Sequence, residues 1–147
     1  MTWQDLLSAQ RLRAHKTSPQ EINDLRAVVE RDLADANIDA LSDDRRFATA
    51  YNAVLQLTKI VIACEGFRVV GLGHHQTTFQ ALELAIGPSV VQFSAYFEQC
   101  RRQRNQVDYD MANVATEADA DLLIQRAEEF QKLVEAWIEK NYPANAS

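Results

Sequence analysis

The sequence predicts an all-α protein, an antiparallel up-and-down bundle of five or six helices. Glycine and proline, which disfavour helix interiors, are scarce at 4 and 3 of 147 residues. Apolar residues recur at steps of three and four along most of the chain, whereas the alternation typical of strands is absent throughout. The length suits one domain with one core, so we assign residues 1–147 to a single helical domain.

Two helix starts lie near the amino terminus. Thr2, with Asp5 three residues later, predicts a short helix that ends near His15. The segment Ser18-Pro-Gln-Glu21 combines an N-cap serine, a proline at the first helical position and a capping-box glutamate. It predicts a second helix that ends near Asn37.

The third helix is expected to be the centre of the bundle. Ser42 is its N-cap, and we interpret residues 43–46, two aspartates and two arginines, as a solvated helix start. From Phe47 to Cys64 the apolar residues cover much of the helix circumference. Gly66 is expected to end the helix.

Three further segments complete the bundle. His75, Phe79, Leu82 and Ile86 lie on one line at helical spacing. A fifth helix begins near Pro88 and Ser89. A last helix begins at Thr116, with Asp119 three residues on, and ends near residues 141–143.

Composition excludes several function classes. The net charge of −6 argues against a protein that coats nucleic acid by global electrostatics. Cys64 and Cys100 are expected to be buried, reduced thiols, because both fall on apolar lines of predicted helices. Nothing near them has metal-ligand spacing. Neither a metal nor a cofactor is therefore expected. Because no apolar run approaches about 18 residues and no signal peptide is evident, we expect a cytoplasmic protein without a membrane span.

An arginine interrupts the apolar stripe of the fifth helix. Arg104 occupies the helical slot between Cys100 and Val107, on a stripe made of Val90, Phe93, Phe97, Cys100, Val107 and Met111. A desolvated guanidinium is costly unless something pairs with it. Either Arg104 meets a carboxylate or carbonyl inside the fold, or the stripe opens there onto a site or a second subunit.

Polar residues surround Arg104 on the same helix. Arg101, Asn105 and Tyr109 are four apart and share one face, while Arg104 and Asp108 share the adjoining face. This set of side chains suits a phosphate oxygen and a sugar hydroxyl. The alternative is an ordinary Arg104–Asp108 pair along the helix.

A histidine pair begins the fourth helical segment. Position on the apolar line favours a hydrogen-bonded core histidine at His75, and the alternative is a general base or an RNA contact. His74 and His75 diverge by about 100° around a helix, so they are poorly placed to chelate one metal together.

Several of these segments resemble the HEPN-domain family (higher eukaryotes and prokaryotes nucleotide-binding). The stretch Phe47-Ala-Thr-Ala-Tyr-Asn-Ala-Val-Leu, then Gly66-Phe, then Gly73-His-His with Thr78 and Ala81-Leu82, is similar to the family's central helix pair. Arg104-Asn105 followed by Asp108-Tyr109-Asp110 is similar to its Arg-Asn-x-x-x-His segment, in the branch that reads Arg-x-x-Ala-Asp-Tyr. The resemblance covers roughly residues 20 to 138.

The resemblance implies a dimeric all-α bundle whose arginine helix lines a cleft between the subunits. Many members are metal-independent ribonuclease toxins, many act beside a small nucleotidyltransferase in a toxin–antitoxin pair, and others only bind. By this resemblance Arg104 and Asn105 would position an RNA phosphate. Arg101, His74 and His75 are further candidate RNA contacts by their own chemistry and positions.

The expected catalytic histidine is replaced in this chain. Five residues after Arg104 stands Tyr109, and a phenol is a poor general base at neutral pH. In an active enzyme Asp108, Tyr109 or one of the histidines would have to move the proton. We therefore expect a homodimeric nucleic-acid- or nucleotide-binding module, or a nucleotidyltransferase partner, with catalysis weak or absent. The alternatives are a metal-independent ribonuclease that uses the Arg104 segment and a structural homodimeric interaction protein.

Overall fold

A computed structural model describes residues 1–71, 74–108 and 112–147, with Asp108 described by its backbone only. The all-α bundle is confirmed, since six α-helices make up most of the described chain. They are α1 (Trp3–Ser8), α2 (Pro19–Ala36), α3 (Asp43–Cys64), α4 (His74–Ile86), α5 (Val91–Asp108) and α6 (Glu117–Asn141). Single turns of 3₁₀-helix at Pro88–Val90 and Pro143–Asn145 precede α5 and follow α6.

The helix starts follow the local capping signals. A side-chain oxygen of each predicted N-cap accepts a hydrogen bond from the first turn of its helix, at Thr2, Ser18, Ser42 and Thr116. The predicted end of α1 near His15 is wrong. The helix ends at Ser8, because Gln10 adopts a left-handed backbone (φ 57°) that turns the chain away.

A short strand pair corrects the expectation that strands are absent. β1 (Leu12–Ala14) and β2 (Phe67–Val69) pair antiparallel, with Leu12 opposite Val69 and Ala14 opposite Phe67. Three residues are too few to show a period of two in the sequence, and the partners lie on either side of α2 and α3. The pair matters for function because β2 packs against α3 and α4.

α3 is the central helix, as predicted. It contacts α2, α4, α5 and α6, and it contributes the fully buried side chains of Phe47, Tyr51, Val54 and Ile60 to the core. By length and composition α3 alone among the described helices is apolar enough to cross a membrane, but 67% of its apolar window is buried inside the bundle. Burial by its neighbours accounts for its hydropathy.

The helix directions are more varied than simple alternation. Arg26 and Glu30 of α2 bond to Glu135 and Gln131 of α6, so these two helices are antiparallel. α3 and α6 run parallel, because their starts meet where Arg46 bonds to Asp121. Their far ends also meet, since Asn145, just past α6, donates to Cys64. Strict alternation of six helices would make α3 and α6 antiparallel, so this pair departs from it.

Arg46 contradicts the interpretation of residues 43–46 as a solvated helix start. Its side chain is only 8% exposed. The guanidinium donates to the carbonyl of Ala36 (3.0 Å), to Asp121 of α6 (2.6 Å) and to Asp43 (3.4 Å). Asp44 is also engaged, because it accepts the backbone N–H groups of residues 113 and 115. The start of α3 therefore ties α2, α6 and the segment after α5 together.

We expect Arg46→Ala to lower the free energy of unfolding by about 2 kcal/mol, because it removes three hydrogen bonds from a buried guanidinium. The cost stays below that of a fully buried ion pair, since Asp121 is 57% exposed and can regain water. Urea unfolding measures the change. Exposed Arg45 gives the matched control, and equal effects of Arg45→Ala and Arg46→Ala would contradict the role given to Arg46.

Candidate functional site

A cluster of buried aromatic rings holds the first half of α5 in place. Phe97 is fully buried, and its ring centroid lies 5.1 Å from that of Phe130 on α6 and 6.1 Å from that of Phe79 on α4. Phe93 and Tyr96 of α5 pack against the same ring at 5.8 and 5.7 Å. This anchorage fixes the rotation of α5, and so decides which face of its polar second half is turned inward.

Arg104 is turned toward the central helix. Its guanidinium carbon lies 5.7 Å from the centroid of the Tyr51 ring, and Tyr51 is fully buried on α3. A cation over an aromatic face is stabilised by the negative face of the ring. Arg104 therefore lies on the same inward-facing side of α5 as the apolar residues of the stripe, because the half-buried arginine covers an aromatic side chain.

His75 contacts the hydroxyl end of Tyr51. Its Nδ1 lies 3.2 Å from the Tyr51 hydroxyl, within hydrogen-bond distance, and the two ring centroids are 5.7 Å apart. The half-buried position agrees with the apolar line predicted for His75, and the hydroxyl is the polar partner that such a histidine needs.

Charge and burial together keep His75 neutral. Burial lowers the pKa of His75 below its ordinary value of 6.5, and the nearby charges of Arg104 and Arg101 lower it further, against an opposing effect of Glu98. Burial raises the pKa of Tyr51, which the same two arginines oppose, so its phenol also stays neutral at pH 7. A neutral imidazole and a neutral phenol therefore lie beside two cations.

Arg101 completes the group one turn earlier on α5. Its Nε and Nη2 both donate to Oε1 of Glu98, at 2.9 and 2.6 Å, and both side chains are about a quarter exposed. We call Tyr51, His75, Glu98, Arg101 and Arg104 the Arg104 cluster. It brings together residues of α3, α4 and α5 over one partly exposed patch.

The structure brings together three predicted site residues, namely Arg101, Arg104 and His75. Asn105 is half-buried on α5, and His74 is exposed at the first position of α4. Tyr109 and the side chain of Asp108 lie outside the described residues, and so does the predicted Arg104–Asp108 pair.

Sequence reasoning missed two members of the cluster. The sequence patterns did not single out Glu98 as a site residue, and they included Tyr51 only as part of the third helix. The sole available signal for Tyr51 was its place within the Phe47–Leu55 stretch that carries the family resemblance.

The other predicted chemistry concerns thiols and metals. Cys64 and Cys100 are free and buried, as predicted, and burial raises the pKa of Cys100 to about 11. Such a thiol is protonated and unreactive at neutral pH. Within the part of the chain that the structure describes, no three His, Cys, Asp or Glu side chains gather closely enough to hold a metal ion.

We expect Arg104→Ala to raise the pKa of His75 toward 6.5, because it removes the largest charge effect and leaves the burial effect in place. A pH titration of the imidazole resonances by NMR measures this. Exposed Arg102 on the same helix is the control, and Arg102→Ala should leave the titration unchanged.

The lowered pKa of His75 should also make the free energy of unfolding depend on pH. Because the pKa is lower in the folded state, the neutral imidazole contributes stability above the unfolded value near 6.5, and this stability is lost as the pH falls through the folded pKa. An unshifted His75 in the parent protein would contradict the geometry of the cluster.

Comparison with known proteins identifies the family. The SAV_6107-like HEPN family model matches residues 37–135, which contain α3, α4, α5 and most of α6. All five members of the Arg104 cluster fall inside this match. No curated protein and no solved structure matches the chain significantly. Since the family model covers most of the chain, the protein belongs to the HEPN family.

Proposed function

We propose that this HEPN protein binds RNA through the Arg104 cluster, with Arg104 and Arg101 on a phosphate and His75 beside the ribose. Membership of the HEPN family supports a nucleotide- or RNA-related role. The observation that carries the proposal is the position of the Arg104 guanidinium over a buried tyrosine ring, next to a neutral histidine and a second arginine.

The position of Arg104 over Tyr51 suits a phosphate contact, because the attraction between a cation and the negative face of a ring does not use the N–H donors of the guanidinium. Tyr51 is fully buried in α3, so its ring restricts where the guanidinium lies before a ligand arrives. A pre-oriented guanidinium loses less side-chain entropy when its edge binds two phosphate oxygens.

The proposal includes an assembly. We place the protein in the cytoplasm as a homodimer whose α5 helices line a shared cleft, beside a small nucleotidyltransferase in a toxin–antitoxin pair. The support is the family resemblance of the Arg104-Asn105 segment. Light scattering of the purified protein gives its mass in solution and so tests for the dimer. Co-purification from the native host tests for the nucleotidyltransferase partner. A monomer that co-purifies with no nucleotidyltransferase would remove this part of the proposal.

RNA binding should depend only weakly on salt, because few phosphates are neutralised. For two arginines on single-stranded RNA, the plot of log K against log salt should have a slope of about −1.4. Anisotropy titrations of a labelled RNA in EDTA at several salt concentrations measure this slope. A much steeper slope would indicate binding by dispersed surface charge, and no binding at low salt would remove the proposal.

Metal-independent RNA cleavage is the second candidate, and one observation favours it. His75 is held neutral beside Arg104, so its imidazole is ready to accept the proton of a ribose 2′-hydroxyl. The 2′ oxygen would then attack the adjacent phosphorus to form a 2′,3′-cyclic phosphate, while the bond from phosphorus to the 5′ oxygen breaks and that oxygen takes a proton from water. The arginines would stabilise the charge on the phosphate.

The two candidates separate in one assay. Defined RNAs are incubated with protein in EDTA and resolved on a gel, with His75→Gln and Arg104→Ala beside the parent. We expect binding with little or no cleavage, because Tyr109 stands where the family's catalytic histidine is found. If the parent protein cleaves RNA and both variants have lost this cleavage, the binding-only proposal is wrong and the protein is a ribonuclease.

A further inference from the structure

A groove opens beside the Arg104 cluster, and His75 is one of its lining residues. It has a volume of about 600 Å³ and lies between α3, β2 and the first turn of α4, with α2 along one edge. This volume is in the range of small-molecule sites, about 300–1,000 Å³. We call it the β2 groove.

The walls of the β2 groove are largely apolar. They are formed by Leu25 of α2, Leu55 and Ile62 of α3, and Phe67 and Val69 of β2. Phe67 is backed by Trp3, whose ring stacks on it with centroids 5.0 Å apart and planes inclined by 20°. Such a wall suits a flat, apolar-faced ligand.

Positive charge lines the same groove in a protein whose net charge is −6. Exposed Lys59 and Arg68 carry it, and Gln56 adds an amide that offers both a donor and an acceptor. Glu21 is the carboxylate among the described lining residues. It is already bound by His15 and Thr17, both at 2.7 Å.

The surroundings of Glu21 reflect this positive charge. The hydrogen bond from Thr17 does most to lower the pKa of Glu21, followed by that with His15, and the charge of Lys59 acts in the same direction. A bound anion would therefore meet the cations of Lys59 and Arg68, while the carboxylate of Glu21 is already hydrogen-bonded to His15 and Thr17.

His75 joins the groove to the Arg104 cluster. One side of the imidazole bonds to the Tyr51 hydroxyl, while the residue also lines the groove together with His74 and Thr78. A chain of nucleotides that contacts Arg104 could thus continue past His75 into the groove.

We propose that the β2 groove binds one nucleotide unit, with the base against the apolar wall and Gln56, and a phosphate toward Lys59 and Arg68. This inference rests on the proposed function, because it assigns a base-binding pocket to the same RNA-binding surface. The ligand is a nucleoside phosphate, either free or as one residue of an RNA chain.

The test uses amide chemical shifts of the full-length protein. ¹⁵N-labelled protein is titrated with AMP, CMP, GMP and UMP, and separately with a 2′-O-methyl oligoribonucleotide, which resists cleavage because it lacks a free 2′-hydroxyl. Amides at Gln56, Lys59 and Val69 should shift with at least one of these ligands. Shifts with free mononucleotides support a free ligand, and shifts with the oligonucleotide alone support a residue of RNA.

Charge reversal gives the matched variants. Lys59→Glu should weaken binding in the groove at least about tenfold, since it removes one charge-assisted contact to phosphate and adds repulsion. Lys132→Glu is the control, because Lys132 is exposed on α6 and is not among the lining residues. Equal affinities of the two variants would overturn the proposal.

Failure of the groove can be told apart from failure of the Arg104 cluster. If Arg104→Ala weakens oligonucleotide binding while the groove amides stay unperturbed by every ligand, the groove proposal is wrong and the Arg104 site stands. If mononucleotides bind the groove with Lys59 dependence while Arg104→Ala leaves oligonucleotide affinity unchanged, the groove stands and the proposed function fails.

Discussion

Phe97→Ala is expected to lower the free energy of unfolding by about 3–5 kcal/mol, the range for a large aromatic removed from a packed core. The ring is fully buried and contacts rings from α4, α5 and α6, so its removal leaves a cavity that three helices border. Urea unfolding followed by circular dichroism measures the loss.

The same helix supplies a control for Phe97. Val91 is 46% exposed at the start of α5, so Val91→Ala should change stability by less than about 0.5 kcal/mol. A loss below 1 kcal/mol for Phe97→Ala would mean that the ring cluster does not anchor α5. The orientation inferred for Arg104 would then lose its support.

Helix starts could be predicted from the sequence because their causes are local. Each N-cap side chain accepts a hydrogen bond from the backbone N–H only three residues later, so both partners lie within one short stretch of sequence. This holds at Thr2, Ser18, Ser42 and Thr116. The wide apolar stripe of α3 predicted its central position for a similar reason.

Features that depend on distant partners could not be predicted in this way. β1 pairs with a strand that lies beyond α2 and α3, and neither strand is long enough to show its own period. Arg46 looks solvated beside Asp43 and Asp44, yet its shortest bond is to Asp121, 75 residues along the chain. In both cases tertiary packing decides the outcome.

The candidate site was predictable in part. The position of Arg104 on an apolar line was visible in the sequence, and the structure explains it by the Tyr51 ring. That ring belongs to α3, and a pattern within α5 carries no information about which neighbour it meets. The role of His75 beside the arginines likewise follows from how α4 packs on α3.

Arg104→Ala is expected to weaken RNA binding by about 10- to 100-fold, equivalent to about 1.4–2.8 kcal/mol. The change removes up to two charge-assisted hydrogen bonds to phosphate from a guanidinium that Tyr51 holds in place. Anisotropy titration of a labelled single-stranded RNA at one fixed salt concentration gives both dissociation constants.

A structural role for Arg104 makes a different prediction. If the residue only locks a homodimer, Arg104→Ala should shift the monomer–dimer equilibrium and leave RNA affinity per dimer unchanged. Light scattering on the titrated samples separates this case from the loss of a phosphate contact.

The most direct test of the Arg104 cluster compares Arg104→Ala with Arg102→Ala in one RNA titration. Both changes remove one positive charge from α5, but Arg102 is exposed whereas Arg104 lies over Tyr51. A site at the cluster predicts a 10- to 100-fold loss for Arg104→Ala and less than about threefold for Arg102→Ala. Equal losses of affinity would show that RNA binding depends only on the total charge of α5, and would contradict an RNA-binding site at the Arg104 cluster.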